Sequence, residues 1–284
     1  MKYKIDLLTA LLLLLTTTAF TQKIASRGKL FIIGGGARTT GLMKTLMTTA
    51  QLKKEDYVVV LPMASEAGDT AYYYIKEDLR PVCSNTIANL NFTKETVNDK
   101  LWLDSVHKAK LIFITGGDQS RFMDIILHTP VHDAILGAFA KGATIAGSSA
   151  GAAMMSKEMI TGNEYSGDSV KPGSFRKLQY DLVETKEGLG FLKTAVIDQH
   201  FIARSRYNRL LSVLAAFPGF DCIGIDESTA IIVNGKKITV TGEGQVVRLT
   251  LNTTGKMTAK KTGLIKLRKV QLNILTAGDE FLLK

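Results

Sequence analysis

The chain has 284 residues, of which 45% are hydrophobic and 22% are charged, and its formal net charge is +10. This composition is typical of a globular protein with ample material for a core. Two cysteines, Cys83 and Cys222, exclude a disulfide scaffold and form no zinc motif, and their spacing leaves open whether they pair. No nucleic-acid module accompanies the basic balance, so we expect a solvated basic face and no nucleic-acid partner.

The amino terminus has the features of an export signal. Lys2 and Lys4 precede an apolar run from Leu7 to Phe20, which is too short to span a bilayer comfortably. We expect a signal peptide over residues 1–21 and a mature domain over residues 22–284. The alternatives are a buried first helix and an uncleaved membrane anchor. Cleavage would leave an exported protein, periplasmic or extracellular, with no stable membrane insertion.

Short apolar runs separated by helical patterns predict an α/β fold with a doubly wound, mostly parallel sheet. The predicted strands are Leu30–Ile33, Tyr57–Leu61, Thr86–Leu90, Leu111–Thr115, Ala143–Ala146 and Thr194–Ile197. The helical patterns between them are Thr40–Ala50, Thr70–Leu79, Lys94–His107, Ser120–Leu127 and Val131–Lys141. Strands that alternate with helices in this way are buried on both faces.

The pattern changes after Asp226, where strands follow one another without helices. The turn Asn234-Gly235 is a strong hairpin signal. The strands are expected at Ala230–Val233, Ile238–Val240, Val246–Leu251 and Leu264–Leu275. We expect these antiparallel strands to complete the same domain. Upstream, Lys157–Gly190 is polar and irregular, and we expect it to cover the substrate.

The segment Gly147-Ser148-Ser149-Ala150-Gly151 fits the Gly-x-Ser-x-Gly pattern of a nucleophile elbow. It follows a predicted strand and precedes helix-prone residues, the setting in which a sharp turn presents a serine hydroxyl to substrate. Ser149 is therefore a candidate nucleophile. The alternative is a Gly-rich turn in which Ser149 caps the next helix. The motif alone does not separate the two.

Other polar segments also follow predicted strands, and ligands of open α/β sheets bind at the carboxyl ends of strands. One is Gly116-Gly117-Asp118-Gln119, and another is Asp198-Gln199-His200. His200 alone among four histidines lies at a strand end, which makes it the expected base. The orienting carboxylate is Glu227, Asp226 or Asp198. Backbone N–H groups of Ala150 and of Gly116 or Gly117 are candidate oxyanion donors.

Two further features stand beside these strand ends. Gly34-Gly35-Gly36-Ala37-Arg38-Thr39 nearly matches the dinucleotide fingerprint, but Thr39 stands where the last glycine belongs. A non-catalytic, nucleotide-binding α/β protein is therefore the alternative from a different class. Arg204, Arg206 and Arg209 follow the expected base, and their planar guanidinium groups match carboxylates. The alternative for these arginines is a solvated helix face.

Taken together, these segments resemble the cyanophycinase family of serine peptidases, which includes dipeptidase E. The matching segments are Gly116–Gln119, Gly147–Ala152, Asp198–Phe201, Ile225–Ala230 and Leu275–Asp279. The resemblance implies a fold like that of class I glutamine amidotransferases and a triad of Ser149, His200 and Glu227, with Gly117 and Ala150 at the oxyanion. It also implies that the substrate pocket is lined by Gln119, Asp198, Gln199, Arg204, Arg206 and Arg209.

The function implied by this resemblance is that of a serine exopeptidase, and the expected signal peptide would make it an exported one. It would hydrolyse cyanophycin, a polyaspartate that carries arginine on each side-chain carboxyl, to β-Asp-Arg dipeptides through an acyl-enzyme. The pocket arginines would hold aspartyl carboxylates, and Asp198 would hold the substrate guanidinium. No cofactor or metal is required. Other Asp-containing peptides are alternative substrates, and a homodimer is a candidate assembly. Ser148 departs from the family, which usually has Thr before the nucleophile.

Overall fold

The structure, a computed structural model, describes residues 28–166, 169–251 and 263–284, so the predicted signal peptide lies outside the described residues. Its helices are α1 Thr40–Ala50, α2 Gly68–Leu79, α3 Lys100–Lys108, α4 Gln119–Ile126, α5 Pro130–Ala140, α6 Ala150–Ala153 and α7 Tyr207–Ala216. Within the described ranges, no helix has the length and apolar character needed to cross a membrane.

The strands fall into three sheets. They are β1 Leu30–Ile33, β2 Tyr57–Leu61, β3 Thr86–Asn89, β4 Leu111–Ile114, β5 Thr144–Ser148, β6 Glu158–Ser166, β7 Ser169–Pro172, β8 Val183–Glu187, β9 Ala195–Gln199, β10 Asp221–Ile225, β11 Thr229–Asn234, β12 Lys237–Gly242, β13 Val246–Leu251, β14 Val270–Leu275 and β15 Glu280–Leu282. The main sheet has the order β15-β12-β11-β1-β5-β4-β2-β3. Its five strands from β1 to β3 are parallel, and β11, β12 and β15 are antiparallel. The predicted α/β class is confirmed.

Alternate residues of β1 show how the main sheet is covered on both faces. Leu30 and Ile32 belong to one apolar cluster, and Phe31 and Ile33 belong to another on the opposite face. Successive side chains of a strand point to opposite faces, so a strand with four buried apolar residues needs a layer on each side. Helices α1 and α2 contribute to the second layer, whereas α4 and α5 contribute to the first.

A second sheet has the order β14-β13-β10-β9, in which β9 and β10 are parallel. The sequence predicts β9 as the sixth strand of the main sheet, and the structure corrects this. The apolar run identifies a strand but not its neighbour, and β10 supplies an equally buried partner. The end of β9 still reaches the main sheet, because the backbone N–H of His200 donates to the Gly34 carbonyl at 2.7 Å.

The sequence predicts that the stretch from Lys157 to Gly190 is irregular, and the structure corrects this. The stretch contains a third sheet of order β7-β6-β8. Buried carboxylates at Glu164 and Glu184 interrupt the apolar alternation that would have revealed these strands. Among the other elements, a helix and a strand differ most from their predicted boundaries. Helix α3 begins at Lys100, because the Asp99 side chain accepts hydrogen bonds from the first turn. The last predicted strand shortens to β14.

Both cysteines are free in the structure, which answers the question left open by their spacing. Cys83 is half-buried, and Cys222 lies on β10 with no solvent exposure. Burial raises the pKa of the Cys222 thiol well above its ordinary value, and the neighbouring Asp221 carboxylate raises it further. Cys222 is therefore a buried apolar residue of the second sheet rather than a reactive thiol.

We expect Gly224→Ala to destabilise the protein by about 1–3 kcal/mol, because it overpacks the contact between β10 and Phe201. A Cβ atom at Gly224 would lie 2.3 Å from the fully buried Phe201 ring. Guanidinium unfolding measures the change. The matched control is Gly219→Ala, where an added Cβ meets no atom within 4 Å. Equal midpoints for the two variants would contradict this account of the packing.

Candidate active site

Ser149, His200 and Glu227 form a hydrogen-bonded chain. Ser149 Oγ lies 2.9 Å from His200 Nε2, and His200 Nδ1 lies 2.5 Å from Glu227 Oε1. Ser149 follows β5 of the main sheet, whereas His200 and Glu227 follow β9 and β10 of the second sheet. The structure therefore brings together three residues that the sequence places at three strand ends, in the arrangement of a nucleophile, a base and an orienting acid.

The backbone at Ser149 has the strained geometry of a nucleophile elbow. Its φ of 56° and ψ of −111° are rare for a residue with a side chain. A Cβ atom at Gly147 would lie 2.4 Å from the Gly151 carbonyl oxygen, so the turn closes only around glycine. Ser149 makes no side-chain cap to helix α6. The helix-cap interpretation is therefore wrong, and the hydroxyl faces His200 instead.

The structure separates the three candidate carboxylates. Glu227 alone bonds to the imidazole of His200. Asp226 accepts hydrogen bonds from the backbone N–H groups of Ile202 and Ala203 at 3.1 and 2.9 Å, and so fixes the turn after His200. The carboxylate of Asp198 binds the guanidinium of Arg209. The two adjacent acids thus have different contacts, since Asp226 binds the backbone after His200 and Glu227 binds the imidazole ring.

The glycines after β1 give the triad its space, a role that the sequence analysis missed. A Cβ atom at Gly35 would lie 2.3 Å from ring atoms of His200, and one at Gly36 would lie 2.6 Å from Glu227 Cβ. Gly35 also accepts a hydrogen bond from the Ser228 N–H at 2.8 Å. The turn that resembles a dinucleotide fingerprint is therefore packed against the triad. The available signal was a glycine run at the end of the central strand.

The Gly116-Gly117 turn lies against Ser149. A Cβ atom at Gly116 would lie 3.3 Å from Ser149 Cβ, and Gly117 adopts a φ of 139° that favours glycine. The next residue, Asp118, donates its N–H to the Ala64 carbonyl at 2.8 Å, which fixes the turn. The N–H groups of Gly117 and of Ala150, the residue after the nucleophile, stay the predicted oxyanion donors.

Gln119 begins helix α4 and is nearly buried. Its Nε2 donates to the carbonyl oxygens of Ile160 and Thr161 at 3.0 and 2.6 Å. Both acceptors lie on β6, so the amide ties the third sheet to the helix that follows the Gly116-Gly117 turn. The structure thus places Gln119 beside the site through contacts with the protein, and contact of Gln119 with substrate stays a prediction.

Asp198 and Arg209 bind each other inside the protein, which corrects the expectation that both present free charges to a substrate. Arg209 Nε donates to Asp198 Oδ2 at 2.7 Å, and its Nη2 donates to Oδ1. Both side chains are almost inaccessible to solvent. A buried charge requires a partner, and a bidentate guanidinium–carboxylate pair supplies one. The sequence showed both residues but could not show that they pair.

The other predicted pocket residues lie around this pair. Arg206 Nη1 donates to the Gln199 carbonyl at 2.6 Å, and burial lowers the pKa of Arg206 to about 10. Gln199 is nearly buried, and its Oε1 lies 3.4 Å from Ser149 Oγ. Arg204 is exposed, in contrast to Arg206 and Arg209. Of the three arginines, Arg204 is therefore the most exposed to solvent.

Burial lowers the pKa of His200 below its ordinary value, because the desolvated ring disfavours the imidazolium. The hydrogen bond that His200 Nδ1 donates to Glu227 opposes this shift in pKa, and the positive charges of Arg204 and Arg206 add to the shift. A lowered pKa keeps the imidazole neutral near pH 7, the form that can accept a proton from Ser149. Burial and the nearby positive charges thus favour the neutral imidazole, the form that a general base requires.

Comparison with known proteins identifies relatives of this chain. Residues 30–241 match the model of Peptidase family S51. A cyanophycinase from Geminocystis herdmanii is 36% identical over 190 residues, which are 64% of this chain and 66% of that protein. One from Trichormus variabilis is 36% identical over 182 residues, covering 62% and 58% of the two chains. The matches therefore span less than two thirds of these relatives.

Solved structures share the fold. A peptidase from an acI-B1 Actinobacterium superposes with a TM-score of 0.67 at 21% identity, over 91% of this chain and 98% of that one. A putative peptidase E from Listeria monocytogenes gives a TM-score of 0.53 at 14% identity, over 77% and 100% of the two chains. At these identities the similarity shows the fold alone.

We expect the pKa of His200 in the folded protein to lie below the ordinary value of a histidine, because burial disfavours the imidazolium. Glu227→Gln should lower this pKa further, since the carboxylate stabilises the imidazolium, and Arg204→Gln should raise it by removing a nearby positive charge. Proton NMR of the histidine Cε1–H resonances measures the shifts, and His200→Gln assigns the signal. A pKa that stays unchanged in both variants would contradict this electrostatic account.

Proposed function

Because the chain belongs to peptidase family S51, we propose that it is a serine peptidase in which Ser149 is the nucleophile, His200 the general base and Glu227 the orienting acid. The observation that carries the proposal is the continuous hydrogen-bonded chain from Ser149 Oγ through His200 to Glu227. The strained backbone at Ser149 supports the same assignment, because such strain persists where a turn must present a reactive side chain.

The proposed reaction has two halves. Ser149 Oγ attacks the substrate carbonyl while His200 Nε2 takes its proton, and the N–H groups of Gly117 and Ala150 hold the oxyanion. His200 then gives the proton to the leaving amine, which departs as the acyl-enzyme forms. Water attacks the ester with His200 again as base, and Ser149 recovers its proton as the acid product leaves. Glu227 stabilises the imidazolium in both halves.

The proposed substrate is cyanophycin, cleaved from an end to β-Asp-Arg dipeptides. Two kinds of observation support it, namely the relatives named cyanophycinase and the exposed Arg204 beside the triad, which suits an aspartyl carboxylate. Other Asp-containing peptides are the second candidate. The Asp198–Arg209 pair supports this second candidate. Asp198 already binds Arg209, so its carboxylate is not free to bind the arginine side chain of cyanophycin.

We expect Ser149→Ala to lower the rate of dipeptide release by at least about a thousandfold, because the nucleophile is removed while the fold is retained. Ser148→Ala is the matched control, since Ser148 is the adjacent strand residue with a buried side chain. Mass spectrometry of products from residues 22–284 incubated with cyanophycin measures both variants. If the wild type releases no β-Asp-Arg, a panel of aspartyl dipeptides tests the second substrate class, and inactivity on both would contradict the proposal.

Export is a further part of the proposal, supported by the Lys2, Lys4 and Leu7–Phe20 pattern of the sequence. We expect the full chain, expressed in a Gram-negative host, to appear in the periplasm or medium and to have lost residues 1–21. Cell fractionation and amino-terminal sequencing measure both results. Deletion of the apolar run is the control and should leave the protein in the cytoplasm. Full-length protein that stays in the cytoplasm would contradict export.

A further inference from the structure

The loop that follows β7 contacts helix α7 through Phe175. The Phe175 N–H donates to Glu164 Oε2 at 2.9 Å, and the Phe175 carbonyl accepts from Asn208 Nδ2 at 3.0 Å. Phe175 has a φ of 47°, in the left-handed region that bulky side chains rarely adopt. Hydrogen bonds on both sides of the residue thus hold its backbone in a conformation that it would not adopt alone.

The ring of Phe175 has a defined place between two contacts. The guanidinium carbon of Arg209 lies 5.4 Å from the ring centroid, within the range of a cation–π interaction. A Cβ atom at Gly173 would lie 2.1 Å from ring atoms of Phe175, so the ring rests directly on the Gly173 backbone. Gly173 itself is fixed by a hydrogen bond from its N–H to the Gly162 carbonyl at 3.0 Å.

Arg209 connects this ring to the active site. Its guanidinium binds both carboxylate oxygens of Asp198, and Asp198 Oδ1 also accepts the N–H of Gln199 at 2.7 Å. Gln199 precedes His200 and places its own Oε1 3.4 Å from Ser149 Oγ. A continuous set of contacts therefore runs from Phe175 through Arg209 and Asp198 to the peptide that carries the base.

We propose that Phe175 is a positioning residue for the active site. By packing on the guanidinium of Arg209, it fixes the buried pair with Asp198, and that pair fixes the backbone that carries His200. The charge pair is buried, so displacement of the Arg209 guanidinium removes both of its hydrogen bonds to the Asp198 carboxylate. Arg206 Nη1, 3.6 Å from Asp198 Oδ1, is then the cation that remains beside this carboxylate. The loop that follows β7 is thereby a structural component of the catalytic site. This inference rests on the proposed function of Ser149 and His200.

The test measures how fast diisopropyl fluorophosphate modifies Ser149, which needs no knowledge of the peptide substrate. The Ser149 oxygen bonds to phosphorus, fluoride leaves, and the serine proton passes to His200. We expect Phe175→Leu to slow this reaction about tenfold to a hundredfold, because small misplacements of a base are costly. Gly173→Ala should act in the same direction by displacing the ring. Phe175→Tyr, which keeps the aromatic face, should stay within about twofold of the wild type.

Leu178→Ala is the matched control, because Leu178 is an exposed apolar residue of the same segment. Melting temperatures of all variants identify effects on folding alone, and the rates are compared well below them. Folded Phe175→Leu protein that reacts at the wild-type rate would overturn the positioning role and leave the proposed function intact. Absence of Ser149 modification in the wild type would instead overturn the proposed function, and the positioning role with it.

Discussion

The imidazole of His200 is the group on which the rest of the site depends. It contacts Ser149 on one side, Glu227 on the other and the bare backbone of Gly35 beneath. The contact with Ser149 sets the distance between the ring and the hydroxyl, and the contact with Glu227 sets the tautomer of the imidazole. The contact with Gly35 sets how closely the ring approaches the end of β1. A side chain at Gly35 would occupy the position of the ring. The end of the central strand is therefore as much a part of the site as the residues that carry the chemistry.

The second sheet carries two of the three residues in this hydrogen-bonded chain. Ser149 is carried by the main sheet, whereas His200 and Glu227 are carried by the parallel strands β9 and β10. The end of β9 is joined to the end of β1 in the main sheet by the backbone hydrogen bond from the His200 N–H to the Gly34 carbonyl. Packing between the sheets therefore sets the geometry between Ser149 and His200, and a substitution that shifts one sheet against the other changes the site from a distance.

The sequence was sufficient for the parallel strands of the main sheet and for the turn that carries Ser149, because both leave local signals. Four buried residues in Leu30–Ile33 identify a strand wherever it pairs, and the glycines around Ser149 identify a sharp turn. Pairing partners were beyond the sequence, since the run that forms β9 fits either sheet. The choice of the orienting carboxylate was also beyond the sequence, because Asp226 and Glu227 are adjacent in the chain. Only three-dimensional contacts show that Asp226 binds backbone and Glu227 binds His200.

The arginines after His200 show how one run of charges divides into different functions. Arg209 neutralises the buried Asp198, Arg206 binds the Gln199 carbonyl, and Arg204 remains exposed. Arg204 and Arg206 also lower the pKa of His200, with burial of the ring as the larger cause. A cation beside the base thus favours its neutral form before substrate binds. A bound substrate carboxylate would offset that charge and favour the imidazolium that forms during attack, so substrate binding and proton transfer would be coupled through the same guanidinium.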